Sequence, residues 1–239
     1  MADTTNSGGR SGFKLDVQAL GPILALIVLV VIGTALNPDF LAAQNITNVL
    51  SRSSFIGIMA VGMTFVITAG VFDLSVGSMT AFIAGIMIMI MNALIPSLGT
   101  SWSVIMIGMG AGLAMGALLG AVNGLLITRL NIEAFIVTLG SMVIFRSLVT
   151  WLADGGTLSL NFSLGSLYEP VYYGGLFGIR WPIIVFAVVA ILGEIAMRHT
   201  AYGRHCTAIG SNEQVARYSA AHVESQDQPV FLAVLGQVN

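Results

Sequence analysis

Long unbroken apolar stretches dominate the chain, and short polar runs separate them. Six stretches stand out: Ala19–Leu36, Ser53–Val71, Gly77–Ile95, Trp102–Ile127, Ala134–Leu152 and Trp181–Met197. A hydrocarbon core about 30 Å thick needs roughly 20 apolar residues in a helix to cross it. In lipid the backbone must satisfy its own hydrogen bonds, which leaves helices or closed barrels. Barrel strands would be shorter and would alternate apolar with polar residues, and these stretches do not alternate. The pattern therefore predicts an all-α, polytopic transmembrane helical bundle with about six spans. The first stretch is too long for a signal peptide, has no Ala-x-Ala-like site close behind it, and is followed by more spans. It reads as a retained helix behind a polar, Gly/Ser-rich tail.

Composition narrows the class further. Of 239 residues, 56% are hydrophobic and 8% charged, against roughly 25% charged in an average soluble domain. That excludes a soluble globular enzyme, a disordered chain and a nucleic-acid binder with a basic footprint. The net charge of −2 points to no electrostatic partner. The single cysteine, Cys206, excludes an intrachain disulfide or a multi-cysteine metal site and reads as an ordinary small residue. Lys and Arg set the orientation. With the N-terminus in the cytoplasm, Arg10, Lys14, Arg129, Arg198, Arg204 and Arg217 lie inside, while Arg52 and Arg180 lie outside. The longest outer connection is then Ala153–Arg180.

Several features inside and between the spans bear on function. Gly108, Gly112, Gly116, Gly120 and Gly124 recur every four residues in the fourth span. Glycine in a helix costs about 1 kcal/mol relative to alanine, so a stripe of them predicts close helix approach; the alternative is a surface on which helices slide. Between spans two and three, Ala69-Gly70-Val71-Phe72-Asp73-Leu74-Ser75-Val76-Gly77-Ser78 interrupts the apolar pattern. Asp73 with Ser75 either caps the third helix or belongs to a broken helix beside a translocation path. Arg146 lies within the fifth span, too far along it from Glu133 to pair, and must snorkel, face a partner helix or line water. Glu133 and Glu194 sit near helix ends and are assigned no chemistry.

The most polar run between spans is Arg198–Ser219. Ser211 and Gln214 have capping-box spacing, which predicts a short helix starting near Asn212 after a turn at Gly210. On an inner loop such a helix is either a solvated connector or a rod that docks a cytoplasmic partner. His199 and His205 read as loop residues. There is no G-x-x-x-x-G-K-[ST] phosphate loop and no H-E-x-x-H zinc motif. The chain predicts no catalytic, cofactor-binding or metal-binding residues. Asn45-Ile46-Thr47 and Asn161-Phe162-Ser163 match the glycosylation pattern, which is too short to carry weight.

Three ordered motifs carry a resemblance: Val71-Phe72-Asp73-Leu74-Ser75-Val76-Gly77-Ser78, Ala134-Phe135-Ile136-Val137-Thr138-Leu139-Gly140-Ser141-Met142, and Tyr202-Gly203-Arg204 through Tyr218-Ser219. With Asn45–Leu50 ahead of the second span, they resemble the membrane permease subunits of bacterial sugar ABC importers of the ribose/xylose type, over residues 20–219. The resemblance implies a multi-pass protein of the bacterial cytoplasmic (inner) membrane that carries a monosaccharide, a pentose or hexose, and hydrolyses no ATP itself. It implies a second permease subunit, identical or not, a cytoplasmic ABC ATPase, and a periplasmic or extracellular sugar-binding protein. It places Asp73, Ser75 and Gly77 in a membrane-embedded signature, and with Arg146 these are the translocation-path candidates. It also tips the inner loop towards ATPase docking through Gly203, Arg204, Gly210, Ser211, Asn212, Glu213, Gln214 and Arg217.

The expected organisation is a cytoplasmic tail (1–18), an incomplete permease domain (19–197), a docking loop (198–222) and an atypical tail (223–239). Phe72 and Ala134 stand where the family usually has isoleucine and proline. After Ser219 the family continues with glycine and further membrane helices. Here a polar run and the short apolar segment Val230–Gly236 follow. The expectation is a permease shortened near residue 220, for instance by a frameshift, which would then lack part of the sugar path and of the dimer interface. The residues alone leave open an ion-coupled secondary transporter or channel. A membrane-embedded enzyme would need a convergent polar set that the spans lack.

Overall fold

The computed structural model describes residues 17–211 of the chain. They fall into two units that meet between Val49 and Leu50. The first unit holds α1 (Val17–Leu36), a 3-10 turn (Pro38–Leu41) and the opening turns of α2 (Ala43–Thr68). The apolar part of α1, Leu20–Leu36, has 17 residues, which is about 25 Å of helix. Pro38 stops it, because the residue before a proline is pushed out of the helical region. Asn37 accordingly is extended, and its side chain accepts the Asp39 N–H at 3.0 Å.

The second unit contains the rest of α2, then α3 (Val76–Leu98), α4 (Trp102–Leu130), α5 (Ala134–Leu152), α6 (Phe162–Tyr173), strands β1 (Gly175–Leu176) and β2 (Ile179–Arg180), α7 (Trp181–His199) and α8 (Ala201–Ser211). Among the described residues, five helices are long and apolar enough to cross a membrane: α2, α3, α4, α5 and α7. The helical-bundle prediction therefore holds, with α1 as a shorter sixth apolar helix. The predicted fifth span matches α5 in full. The second begins ten residues earlier than the apolar pattern implied, because the polar turns from Gln44 to Arg52 are also helical.

Packing between helices in lipid relies on close van der Waals fit rather than on expelling water. The stripe on α4 supplies it: Gly108, Gly112, Gly116, Gly120 and Gly124 are all buried. A Cβ at Gly108 would run into Met91, and one at Gly112 into Met87, both on α3. Elsewhere α7 meets α2, with Phe186 over Gly57 and Val61 over Gly193.

The connection from Ala153 to Arg180 folds more than its sequence pattern suggested. Asn161 caps α6 by accepting the Ser163 N–H at 3.0 Å. Asn92 of α3 pins that cap from both sides, donating to the Ser159 carbonyl and accepting the Asn161 N–H, each at 2.9 Å. Leu164 then joins Met91, Val104 and Ile105 in the main apolar cluster. The β1–β2 hairpin turns at Phe177-Gly178, both with positive φ, the backbone of a type I′ turn.

Candidate functional site

The break between α2 and α3 is built by backbone first. Gly70, at φ +81, lies in the left-handed region. Its N–H bonds to the Ile67 carbonyl at 2.9 Å, and the Val71 N–H bonds to that of Val66 at 3.1 Å. This is a Schellman termination, for which glycine is the favoured residue. The chain then runs without helix to Ser75 and brings Asp73 inward, 5% exposed.

Asp73 does not cap α3. Its Oδ1 accepts the N–H and the hydroxyl of Ser75, each at 2.7 Å, in a local turn. Ser75 occupies the N-cap position with its backbone in the helical region and makes no side-chain cap bond. The Ser75 hydroxyl is drawn elsewhere: Asn123 of α4 donates to it at 3.2 Å. Ser141 of α5 in turn donates to Asn123 Oδ1 at 2.7 Å. The hydrogen bonds thus run in one direction, Ser141 to Asn123 to Ser75 to Asp73, and tie the break to two neighbouring helices. Thr138, one turn before Ser141, donates to the Ala134 carbonyl at 2.8 Å and lies 3.4 Å from that of Phe72. Asp73 Oδ2 is buried and has no hydrogen-bond partner among the described residues. Leaving such an acceptor unmet costs about 1–3 kcal/mol or more for a charged group.

The other two path candidates do not join this network. Gly77 is exposed in the first turn of α3, with open space where a Cβ would go. Arg146 lies further along α5, exposed on an open concavity of about 550 Å³ lined by Arg146, Ser147, Thr150, Trp151, Asp154 and Gly155. Asn123, Ser141 and Thr138 are the network members that residue-by-residue reading missed. The signal was available for Asn123, a lone amide in an apolar span, next to Gly124 on the glycine stripe.

The polar run after α7 is helical earlier than predicted. α8 spans Ala201–Ser211, so Ser211 does not begin a helix; its hydroxyl donates to the Ala208 carbonyl at 2.8 Å. Nor does Gly210 make a turn: its backbone lies against α2, where a Cβ would meet the Thr68 carbonyl. Gly203 is likewise pressed on the end of α7, at Met197, and is buried with Cys206. Tyr202 packs on Phe65 of α2, ring centroids 5.4 Å apart. Burial pushes the Tyr202 phenol well above its usual range, with Cys206 adding to the effect. Burial also raises the Cys206 thiol, partly offset by a hydrogen bond from Tyr202. Arg204 and Ser211 face outward from the packed side. His199 and His205 lie on α7 and α8 rather than in a loop. Asn212, Glu213, Gln214 and Arg217, the other docking candidates, lie outside the described residues, as do the two tails. Among the described residues no group of His, Cys, Asp and Glu has the arrangement to hold a metal ion.

Comparison with known proteins gives a consistent picture. The family model described as branched-chain amino acid transport system / permease component matches residues 45–233. The ribose import permease protein RbsC of Escherichia coli K12 is 31% identical over 93% of this chain and 67% of its own length. RbsC of Bacillus subtilis is 38% identical over 90% of the chain and 64% of its length. The xylose transport system permease protein XylH of E. coli K12 is 28% identical over 94% of the chain and 71% of its length. The chain thus spans about two thirds of the length of these relatives. No solved structure matches it.

Proposed function

The chain belongs to the permease-component family of branched-chain amino acid transport systems, and from that premise we propose that it is the transmembrane permease subunit of a sugar importer. Its cargo is a monosaccharide of the pentose class, and ATP is hydrolysed by a separate cytoplasmic subunit. The observation that carries this reading is the alignment of ribose and xylose permeases with nine-tenths or more of the chain. The same alignments speak against an ion-coupled secondary transporter.

In this reading the protein spans the cytoplasmic membrane of a bacterium with its N-terminus inside. A second permease subunit completes the path, and a sugar-binding protein delivers cargo from outside. The cytoplasmic end carries α8, whose inner side is locked on α2 and α7 while Arg204 and Ser211 face outward for the ATPase. Asn212, Glu213, Gln214 and Arg217 extend the same docking segment. Asp73 and Ser75 anchor the end of the path beside it, and Gly77 lets a neighbouring chain approach α3.

Uptake of labelled ribose and xylose by cells producing the chain with its partner subunits tests the proposal. Uptake lost on ATP depletion but kept under a protonophore is expected. Uptake lost under the protonophore and kept without ATP would refute it.

A further inference from the structure

We propose that the concavity at the C-terminal end of α5 is a monosaccharide subsite, with Trp151 as its stacking platform and Arg146, Thr150 and Asp154 as its hydroxyl-binding groups. This rests on the permease reading and adds the place and the residues that meet the sugar. Arg146, Thr150 and Asp154 follow one another at four-residue steps, so they line up along the α5 face and its exit turn. Ser147 and Trp151 form the adjacent row. Such a polar row in a span otherwise apolar is costly against lipid and fits a water-lined path. Its charged groups are also uncommitted. Among the described residues neither Arg146 nor Asp154 forms an ion pair. The Thr150 hydroxyl bonds back to the Arg146 carbonyl at 2.9 Å and keeps its lone pairs free. Trp151 is 75% exposed.

Chemistry selects the ligand. The volume, about 550 Å³, lies within the roughly 300–1,000 Å³ of small-molecule sites. An indole face accepts the C–H face of a sugar ring, and a guanidinium fork beside a carboxylate suits neighbouring hydroxyls as acceptor and donor. An anionic lipid headgroup would meet Arg146 but be repelled by Asp154. A branched-chain amino acid would match both charges, but its short branched side chain offers the Trp151 indole no flat ring face to stack on.

The test is saturation-transfer NMR of D-ribose, D-xylose and L-leucine with the full chain in nanodiscs of zwitterionic lipid. A sugar is expected to titrate, with binding weakened about fivefold or more by Trp151→Ala and about tenfold by Asp154→Asn. Trp151→Phe should restore most of it, and Phe177→Ala, on the hairpin tip, should leave it unchanged. Unchanged circular dichroism shows that the variants are folded. Sugar binding indifferent to Trp151 and Asp154 would overturn the subsite and leave the permease reading standing. Leucine binding that Asp154→Asn abolishes, with no sugar binding, would overturn both. A sugar signal that anionic lipid displaces and that Asp154→Asn strengthens would make this a headgroup site and overturn the subsite alone. No binding by either ligand would also overturn it, while ATP-dependent uptake judges the wider reading independently.

Discussion

The two ends of α5 handle polar residues in opposite ways. Near its start, Thr138 and Ser141 are buried and bonded to protein, and Ser141 feeds the directed network through Asn123 and Ser75 to Asp73. Near its end, Arg146, Ser147, Thr150 and Asp154 lie exposed on an open concavity. One helix of 19 residues thus joins a closed polar end to an open one. A polar group in an apolar span is either satisfied by its own chain, where it fixes structure, or left to meet water, lipid headgroups or another helix. α8 sits at the closed end, because its Gly210 lies against the Thr68 carbonyl just before the break that carries Asp73.

That contrast orders the expected effects of mutation. The largest belongs to Gly203→Val, since a Cβ there meets the Met197 backbone rather than a side chain that can yield. α8 should lose its seat on α7, and co-purification with the ATPase subunit should be abolished. Helical content measured by circular dichroism should barely change. Next comes Asn123→Leu, which leaves the Ser141 hydroxyl without its acceptor and takes one donor away from the Ser75 hydroxyl. It should destabilise the bundle by about 2–4 kcal/mol in detergent unfolding, and Ser141→Ala alone by about 1 kcal/mol. At the open end, Arg146→Gln should shift stability by no more than about 0.5 kcal/mol. Equal losses at the two ends would erase the distinction.

The smallest effect is a pH dependence at Cys206. Its folded value is raised by burial, so the neutral thiol is the form that packing favours. The contribution to stability is complete below the ordinary thiol value and is lost as pH rises through the higher folded one. Maleimide labelling of the native protein should be slow at neutral pH and accelerate only above the ordinary thiol range. Rapid labelling at neutral pH would mean that α8 is not seated as described.

Much of the bundle was legible because length and apolarity decide a span. The α5 bounds and the buried glycine stripe of α4 came directly from the pattern. The start of α2 did not, because Gln44, Asn45 and Asn48 make its first turns polar although they continue the same helix. α6 was hidden because a 12-residue helix that packs through residues such as Leu164 has no span-length signal; Asn161 and Ser163 carried its cap in plain view. At α8 the spacing of Ser211 and Gln214 misled, while Tyr202, Cys206 and Ile209 already formed a half-buried helical face. Asp73 and Ser75 were recognisable as a pair, but their partner Asn123 lies 48 residues from Ser75, and only the helix packing brings them together.

The central claim is that α5 crosses the membrane, with the closed end and α8 inside and the open end outside. Single cysteines at Asp154 and Ser211, each placed in a Cys206→Ala background, can be probed in intact cells with an impermeant maleimide. Asp154→Cys should label at once and Ser211→Cys only after permeabilisation. Labelling of Ser211→Cys from outside, with Asp154→Cys protected, would contradict the account.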